Sequence, residues 1–155
     1  MSLSPADFVN QLLEHTGLDP ASFKVEVVDE DQWLKINIAV AEEESGILIG
    51  VHGETLSSLQ RLVRLAYLTT LADKKIVVNI NDYRERREEK LKSMVESVAE
   101  RVLATGQPHT LPSYLPSYER FFIHTLLSSD DKYAGLTSSS TGMGRDRRLT
   151  IAVKS

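Results

Sequence analysis

The chain has no cysteine among its 155 residues, which excludes disulfides, thiolate zinc sites, iron–sulfur ligation and cysteine nucleophiles together. A reducing cytoplasm is the compartment this composition fits. No apolar run approaches the roughly 18 residues a membrane span requires. The N-terminus lacks a basic segment leading into an apolar stretch and a cleavage site. Neither secretion nor membrane insertion is expected. Also missing are a phosphate-binding P-loop, a histidine pair at metal spacing and a Gly-x-Ser-x-Gly nucleophile turn. Asp130-Asp131 is the only tight carboxylate pair from Arg120 onward, and metal-assisted chemistry would need more oxygen ligands beside it. The sequence therefore predicts no enzyme, no cofactor and no metal.

With 41% apolar residues the chain can pack one ordinary domain or two small ones. Its net charge of −4 is unevenly spread. Residues 1–80 hold 12 acidic and 6 basic residues, net −6, whereas residues 81–155 hold 10 acidic and 12 basic, net +2. Attraction to phosphate should concentrate in the second half. Most of the excess lies from Arg120 onward, where Arg120, Lys132, Arg145, Arg147, Arg148 and Lys154 face only Asp130, Asp131 and Asp146.

Ser4-Pro5 predicts a capped helix start with Phe8, Leu12 and Leu13 on one stripe, stopped at Gly17. Phe23 to Val28 and Trp33 to Val40 alternate apolar and polar residues, so two antiparallel strands are expected across a turn at Asp29 to Gln32, with Trp33 read as core. A short helix over Glu42 to Ile49 meets a turn, Gly50-Val51-His52-Gly53. Beyond Glu54, the residues Leu56, Leu59, Val63, Ala66 and Tyr67 keep helical spacing. Lys75 to Asn81 is rich in β-branched residues and closes the unit, giving the order α-β-β-α-α-β.

Asp82 with Glu85 has the reciprocal capping pattern of a helix start, and Leu91, Met94, Val95, Val98 and Val102 carry an apolar stripe to Gly106. That predicts about 24 residues of helix, roughly 36 Å. The Arg84 to Lys90 run reads as a salt-bridged solvent face. Gln107 to Pro116 is an ordered loop. Ser117 is placed as the cap of a helix carrying Arg120 and His124, followed by two strands, Tyr133 to Ser140 and Arg147 to Val153, joined through Thr141 to Gly144. The domain boundary is set at the strand-to-helix junction, giving residues 1–81 and 82–155.

Two stretches can meet phosphate. A Gly-x-x-Gly turn lets backbone approach a ligand because no Cβ intervenes, and the amides opening the next helix are unpaired donors. Val51 and His52 would flank that contact, with Glu54 beside it. His52 either donates when protonated or simply sits in the loop. Arg120 and His124, four residues apart, share a helix face where a permanent cation and a titratable imidazole can reach one phosphate. Phe121, Phe122, Leu126 and Leu127 are expected to commit the other faces to the core. Arg145, Arg147 and Arg148 can arrive from the strand hairpin, and arginine's planar fork suits phosphate. The alternative for His124 is a structural histidine. The Thr137 to Thr141 hydroxyls either meet phosphate or satisfy a strand edge.

Four blocks, Gly46 to Leu56, Asp82 to Arg87, Tyr118-Glu119-Arg120 with His124, and Gly142 to Arg148, occur in the order seen in the bacterial Jag family, which the chain resembles over nearly its whole length. The resemblance implies an α+β fold, a type II KH domain followed by a small α/β domain named for its Arg-x-x-x-His (RxxxH) signature. It implies a cytoplasmic binder of single-stranded RNA that clamps the backbone through Gly50, Val51, His52, Gly53 and Glu54 and through Arg120, His124, Arg145, Arg147 and Arg148. A post-transcriptional role in cell elongation or envelope control, and pairing with a small single-KH protein or a second copy, are implied in the same way. Many relatives carry a basic residue where this chain has Val51-His52, and many have a further N-terminal Jag domain, which is not expected here. The missing basic residue supports another reading, a protein-interaction scaffold whose KH unit mainly dimerises. Single-stranded DNA is the alternative ligand.

Overall fold

The computed structural model describes residues 3–155. They form two compact units, Met1–Arg84 and Glu85–Ser155, each with its own apolar core. No helix among the described residues is long and apolar enough to cross a membrane.

In the first unit, Ser4 accepts a hydrogen bond from the Asp7 amide at 3.1 Å, with Pro5 at the first position of α1 (Pro5–His15). Both fit the preference of helix starts for a hydroxyl cap and a residue with fixed φ. β1 (Phe23–Glu30) and β2 (Trp33–Val40) form an antiparallel hairpin, with Glu30 opposite Trp33. Two helices follow, α2 (Glu42–Ile49) and α3 (Glu54–Ala66), after which β3 (Lys75–Ile80) pairs parallel to β2. The sheet order is β1-β2-β3.

Alternation along β2 buries Leu34, Ile36, Ile38 and Val40, which join Ile76, Val78 and Ile80 of β3. Val9 and Leu13 of α1 and Leu56, Leu59 and Val63 of α3 complete this core. The same alternation turns Trp33 the other way. It is 39% exposed, with the Lys75 ammonium 5.2 Å from its ring centroid, and the expectation that it is core fails. The buried set of a strand is fixed by its register as a whole, and one large aromatic cannot override Leu34, Ile36 and Ile38.

The second unit contains most of α4 (Tyr83–Thr105), then β4 (His109–Thr110), α5 (Ser117–Ser129), β5 (Leu136–Thr141) and β6 (Arg148–Val153). Its sheet is antiparallel in the order β4-β6-β5. Leu91, Val95, Val98 and Val102 of α4 and Ile123 and Leu127 of α5 share one core with Leu149 and Ile151 of β6.

Several local expectations are corrected. Asp82 does not have the extended backbone of a capping residue: Asn81 and Asp82 have φ of 45° and 54°, so the chain enters α4 through two left-handed residues. Asn81 is fixed there by β2, its amide donating to Val40 O at 2.6 Å and its Oδ1 accepting from Val40 N at 3.0 Å. Pro116, not Ser117, is the residue before α5, and the Ser117 hydroxyl instead accepts from Arg120. Tyr133 lies in a single 3-10 turn over Asp131–Tyr133 rather than in β5. β4 lies within the expected loop: it is two residues long, between Pro108 and Leu111, and exists only through its pairing with Thr150 and Ile151. No local periodicity signals a strand of that length.

Candidate nucleic-acid interface

The Gly50–Gly53 turn is a backbone construction. Gly50 has φ 72° and ψ −178°, a region essentially confined to glycine. A Cβ there would lie 2.2 Å from Thr55 Oγ1 and 2.9 Å from the Thr55 amide. Gly53 has φ 76° and is buried, and its Cβ would stand 3.0 Å from the Tyr83 ring. His52 is itself left-handed at φ 53°. Three constraints of this kind within four residues force a sharp reversal between α2 and α3, which leaves Val51 72% exposed at its tip. No side chain caps α3, so the turn opens onto helix-start amides of the kind that receive anions.

The charges around the turn do not favour phosphate. Glu42, Glu43 and Glu44 occupy the first turn of α2, and Glu54 that of α3. They suit the positive ends of those helices; Glu54 puts negative charge beside the turn, whereas Glu42, Glu43 and Glu44 stand at the opposite end of α2 from it. On α3, Arg61 follows Glu54 by seven residues, about 10 Å along the axis, and the Arg64 Nε is engaged by Ile76 O at 3.1 Å.

The α5 face is a side-chain construction. Glu119, Ile123 and Leu127 form its buried stripe, leaving Arg120 and His124 half-buried on another side. The Arg120 guanidinium donates to Leu115 O and, at 3.1 Å, to Ser117 Oγ, which uses part of its donor fork and braces the loop before the helix. His124 spans to β5: its Nδ1 lies 2.5 Å from Ser138 Oγ and its Nε2 3.4 Å from Ser140 Oγ. Burial first, then the positive charges of Arg120 and Arg147, hold the imidazole below its ordinary pKa of 6.5. In the unliganded face His124 is therefore a neutral hydrogen-bonding group at pH 7, not a second cation. The Ser138 and Ser140 hydroxyls hold it in place. It borders an open pocket of about 280 Å³ lined by Leu127 and Leu136 as well as by Ser128, Thr137, Ser138 and Lys154.

The β5–β6 hairpin brings Arg147 within electrostatic reach of His124. Gly142 makes the hairpin possible, since at φ 92° its Cβ would fall 2.9 Å from Asp146 O. Arg145 and Arg147 are exposed. Arg148 is turned inward, donating to Arg145 O at 2.6 Å and Arg147 O at 3.2 Å, and so fixes the loop.

Two expectations about side-chain placement fail. Phe121 is 72% exposed, not core. The Arg84 to Lys90 run is not simply a solvent face: Arg84 donates to Val78 O at 3.2 Å and to Gln60 Oε1 at 3.1 Å. Arg87 makes a two-point ion pair with Glu119, Nε to Oε1 at 2.7 Å and Nη2 to Oε2 at 3.0 Å, and Glu119 is completely buried. Register carried the missing signal, because Arg87 precedes Leu91 and Val95 at four-residue steps and Glu119 likewise precedes Ile123 and Leu127. Both charges sit in line with apolar stripes.

Two family models match the chain, one in each half. Residues 6–80 match the KH domain of KhpA/KhpB, and residues 89–152 match the domain family named for the Arg-x-x-x-His (RxxxH) motif. The chain is a tandem of KH and RxxxH domains homologous to KhpB, of the Jag family. It is 35% identical over 113 residues to the RNA-binding protein KhpB of Lactiplantibacillus plantarum, covering 72% of this chain and 34% of that protein. Against KhpB of Clostridium symbiosum it is 35% identical over 121 residues, 77% of this chain and 53% of the relative. Against KhpB of Bacillus subtilis it is 30% identical over 132 residues, 84% and 62% respectively. The chain thus spans between about a third and under two thirds of the length of these relatives.

Proposed function

We propose that this chain binds single-stranded RNA in the cytoplasm as a non-catalytic, post-transcriptional regulator, with a role in cell elongation or envelope control. The division into a KH domain, residues 1–81, and an RxxxH domain, residues 82–155, belongs to the same reading. The observation that carries it is the α5 face, where a neutral His124 lies within the field of Arg120 and Arg147 and lines an open pocket. Arg120 and Arg147 supply charge, and His124 and the serines around it supply directional hydrogen bonds. An arriving phosphate would favour protonation of His124, adding a cation only when the ligand is present. Arg145 and Arg148 frame the hairpin side. Gly50, Val51, His52, Gly53 and Glu54 form the other grip, one of shape: the RNA backbone lies against the turn and the start of α3, with little help from charge. Homology to proteins named for RNA binding supports the choice of ligand, and single-stranded DNA is the competitor. Crosslinking in cells followed by sequencing of the bound nucleic acid tests the reading. Enrichment of RNA is the expected result, and recovery at background levels rejects it.

One observation favours a second reading. Leu62, Leu65 and Leu68, on and just past α3, are all exposed, the kind of apolar surface that a second KH unit, from another copy or from a small single-KH protein, would cover. Sedimentation of the purified chain, alone and with Leu62→Ser and Leu65→Ser together, distinguishes a scaffold from a monomeric binder.

A further inference from the structure

We infer that Phe121 is a stacking platform for an unpaired nucleobase next to the phosphate held at Arg120. The inference rests on the RNA-binding reading and adds a base contact that the Arg-x-x-x-His spacing does not contain.

Phe121 cannot serve the core. At about 100° per residue it lies about 200° around α5 from both Glu119 and Ile123, which are buried. Its ring is 72% exposed. No other large apolar side chain of α5 is exposed among the described residues; its outer positions Ser117, Thr125 and Ser128 are hydroxylic. A protein partner would ordinarily be met by a contiguous apolar patch with a charge-depleted centre. Phe121 offers a single aromatic face in polar, cationic surroundings.

Those surroundings suit one class of occupant. Arg120 is the preceding residue, and His124 is three positions on, about 5–6 Å away between Cβ atoms. Arg147 acts on the same place, since its charge and that of Arg120 both depress the His124 pKa. The hydrogen bonds from Arg120 to Leu115 and Ser117 hold its guanidinium in a fixed position while leaving other donors of the fork free to face a ligand. An aromatic ring beside a fixed cation is how single-stranded nucleic acid is gripped: phosphate on the cation, base on the ring, with little regard to sequence. The hydroxyls of Ser138 and Ser140, turned toward His124, offer polar contacts, whereas the ring is the flat apolar surface of α5 open to a base.

Two probes test this on the full chain: a single-stranded oligoadenylate, and a strand of the same length built from abasic ribose spacers. The wild-type chain should bind the oligoadenylate more tightly. Phe121→Ala should weaken the oligoadenylate about tenfold, leave the abasic strand unchanged and reduce the two to similar affinity. Phe121→Tyr should retain wild-type behaviour on both, since the ring is kept. If the wild-type chain binds both strands equally, or if Phe121→Ala weakens both alike, the stacking platform is wrong while the backbone-binding reading survives. If the wild-type chain binds neither strand at low salt, both fall. Conversion of a dimer to a monomer by Phe121→Ala in sedimentation would assign the ring to a protein interface and overturn the proposal.

Discussion

The Gly50–Gly53 turn takes its form from main-chain angles that only glycine adopts without strain, whereas the α5 face takes its form from a guanidinium, an imidazole and two serine hydroxyls anchored to neighbouring elements. The first has an exposed tip at Val51 and a carboxylate, Glu54, beside it. The second has fixed side chains and a basic setting. Substitutions should therefore act differently: in the turn, on whether the loop can form; on α5, on what it can bind. The exception lies behind α5, where the Arg87–Glu119 pair makes the side-chain site depend on a buried charge.

The largest effect should come from that pair. Arg87→Ala strands the fully buried Glu119 carboxylate, and breaking such a pair costs about 3–5 kcal/mol. Amide exchange in α5 and β6 should accelerate accordingly. Lys90→Ala, at an exposed position in the same helix, should change stability by no more than about 0.5 kcal/mol. Equal effects of the two substitutions would mean that the ion pair is not what holds the α5 face in place.

Gly50→Ala comes next. It combines a glycine-only backbone with a Cβ 2.2 Å from Thr55 Oγ1, and strain plus overpacking should cost about 3 kcal/mol. Gly46→Ala gives the contrast, since it lies within α2 with nothing within 4 Å of an added Cβ. Removing glycine from a helix interior there should stabilise by about 0.5–1 kcal/mol. Urea unfolding followed by Trp33 fluorescence reads both, and opposite signs are expected.

Binding should separate the two regions without unfolding either. Val51→Asp with His52→Asp places two negative charges on the turn, and should reduce affinity for single-stranded RNA about tenfold with circular dichroism unchanged. Arg120→Gln should instead reduce the slope of log affinity against log salt by about 0.7, the counterion release of one phosphate contact on a single strand. An unaltered slope would leave Arg120 with only its bracing role at Leu115.

These contrasts follow the boundary of what the sequence could reveal. The strand alternation, the Gly-x-x-Gly turn between two helices, and Arg120 and His124 on one face were all readable, because each depends on spacing within a few residues. So was the fold, α+β with the α-β-β-α-α-β order in its first unit. The direction in which Trp33 and Phe121 point was not. Large aromatics suggest a core, but register decides: Trp33 is out of step with Leu34 and Ile36, and Phe121 with Ile123 and Leu127. Nor was the neutrality of His124 legible, since it depends on Ser138, Ser140 and Arg147, brought to it by β5 and the hairpin. Register within an element can be read from the chain. Convergence between elements needs the fold.

The smallest expected effect is on that imidazole, and it carries a definite sign. Burial, then Arg120 and Arg147, lower its folded pKa below the ordinary 6.5. As pH falls, the unfolded chain takes up the proton first. His124 therefore contributes stability that is fully present above about pH 6.5 and is lost as pH falls through the lower folded value. In His124→Gln the amide can still bond the serines but cannot titrate. The difference in unfolding midpoint between wild type and variant should then shrink in the acid direction below pH 6.5 and be constant above it, with other titrating groups cancelling in the comparison. RNA bound at the face should reverse the trend. A phosphate near the imidazole raises its pKa, so the complex takes up a proton and wild-type affinity rises as pH falls through this window, while the glutamine variant stays flat. A wild-type affinity that is equally flat would place the phosphate away from His124 and leave the histidine a strut between α5 and β5.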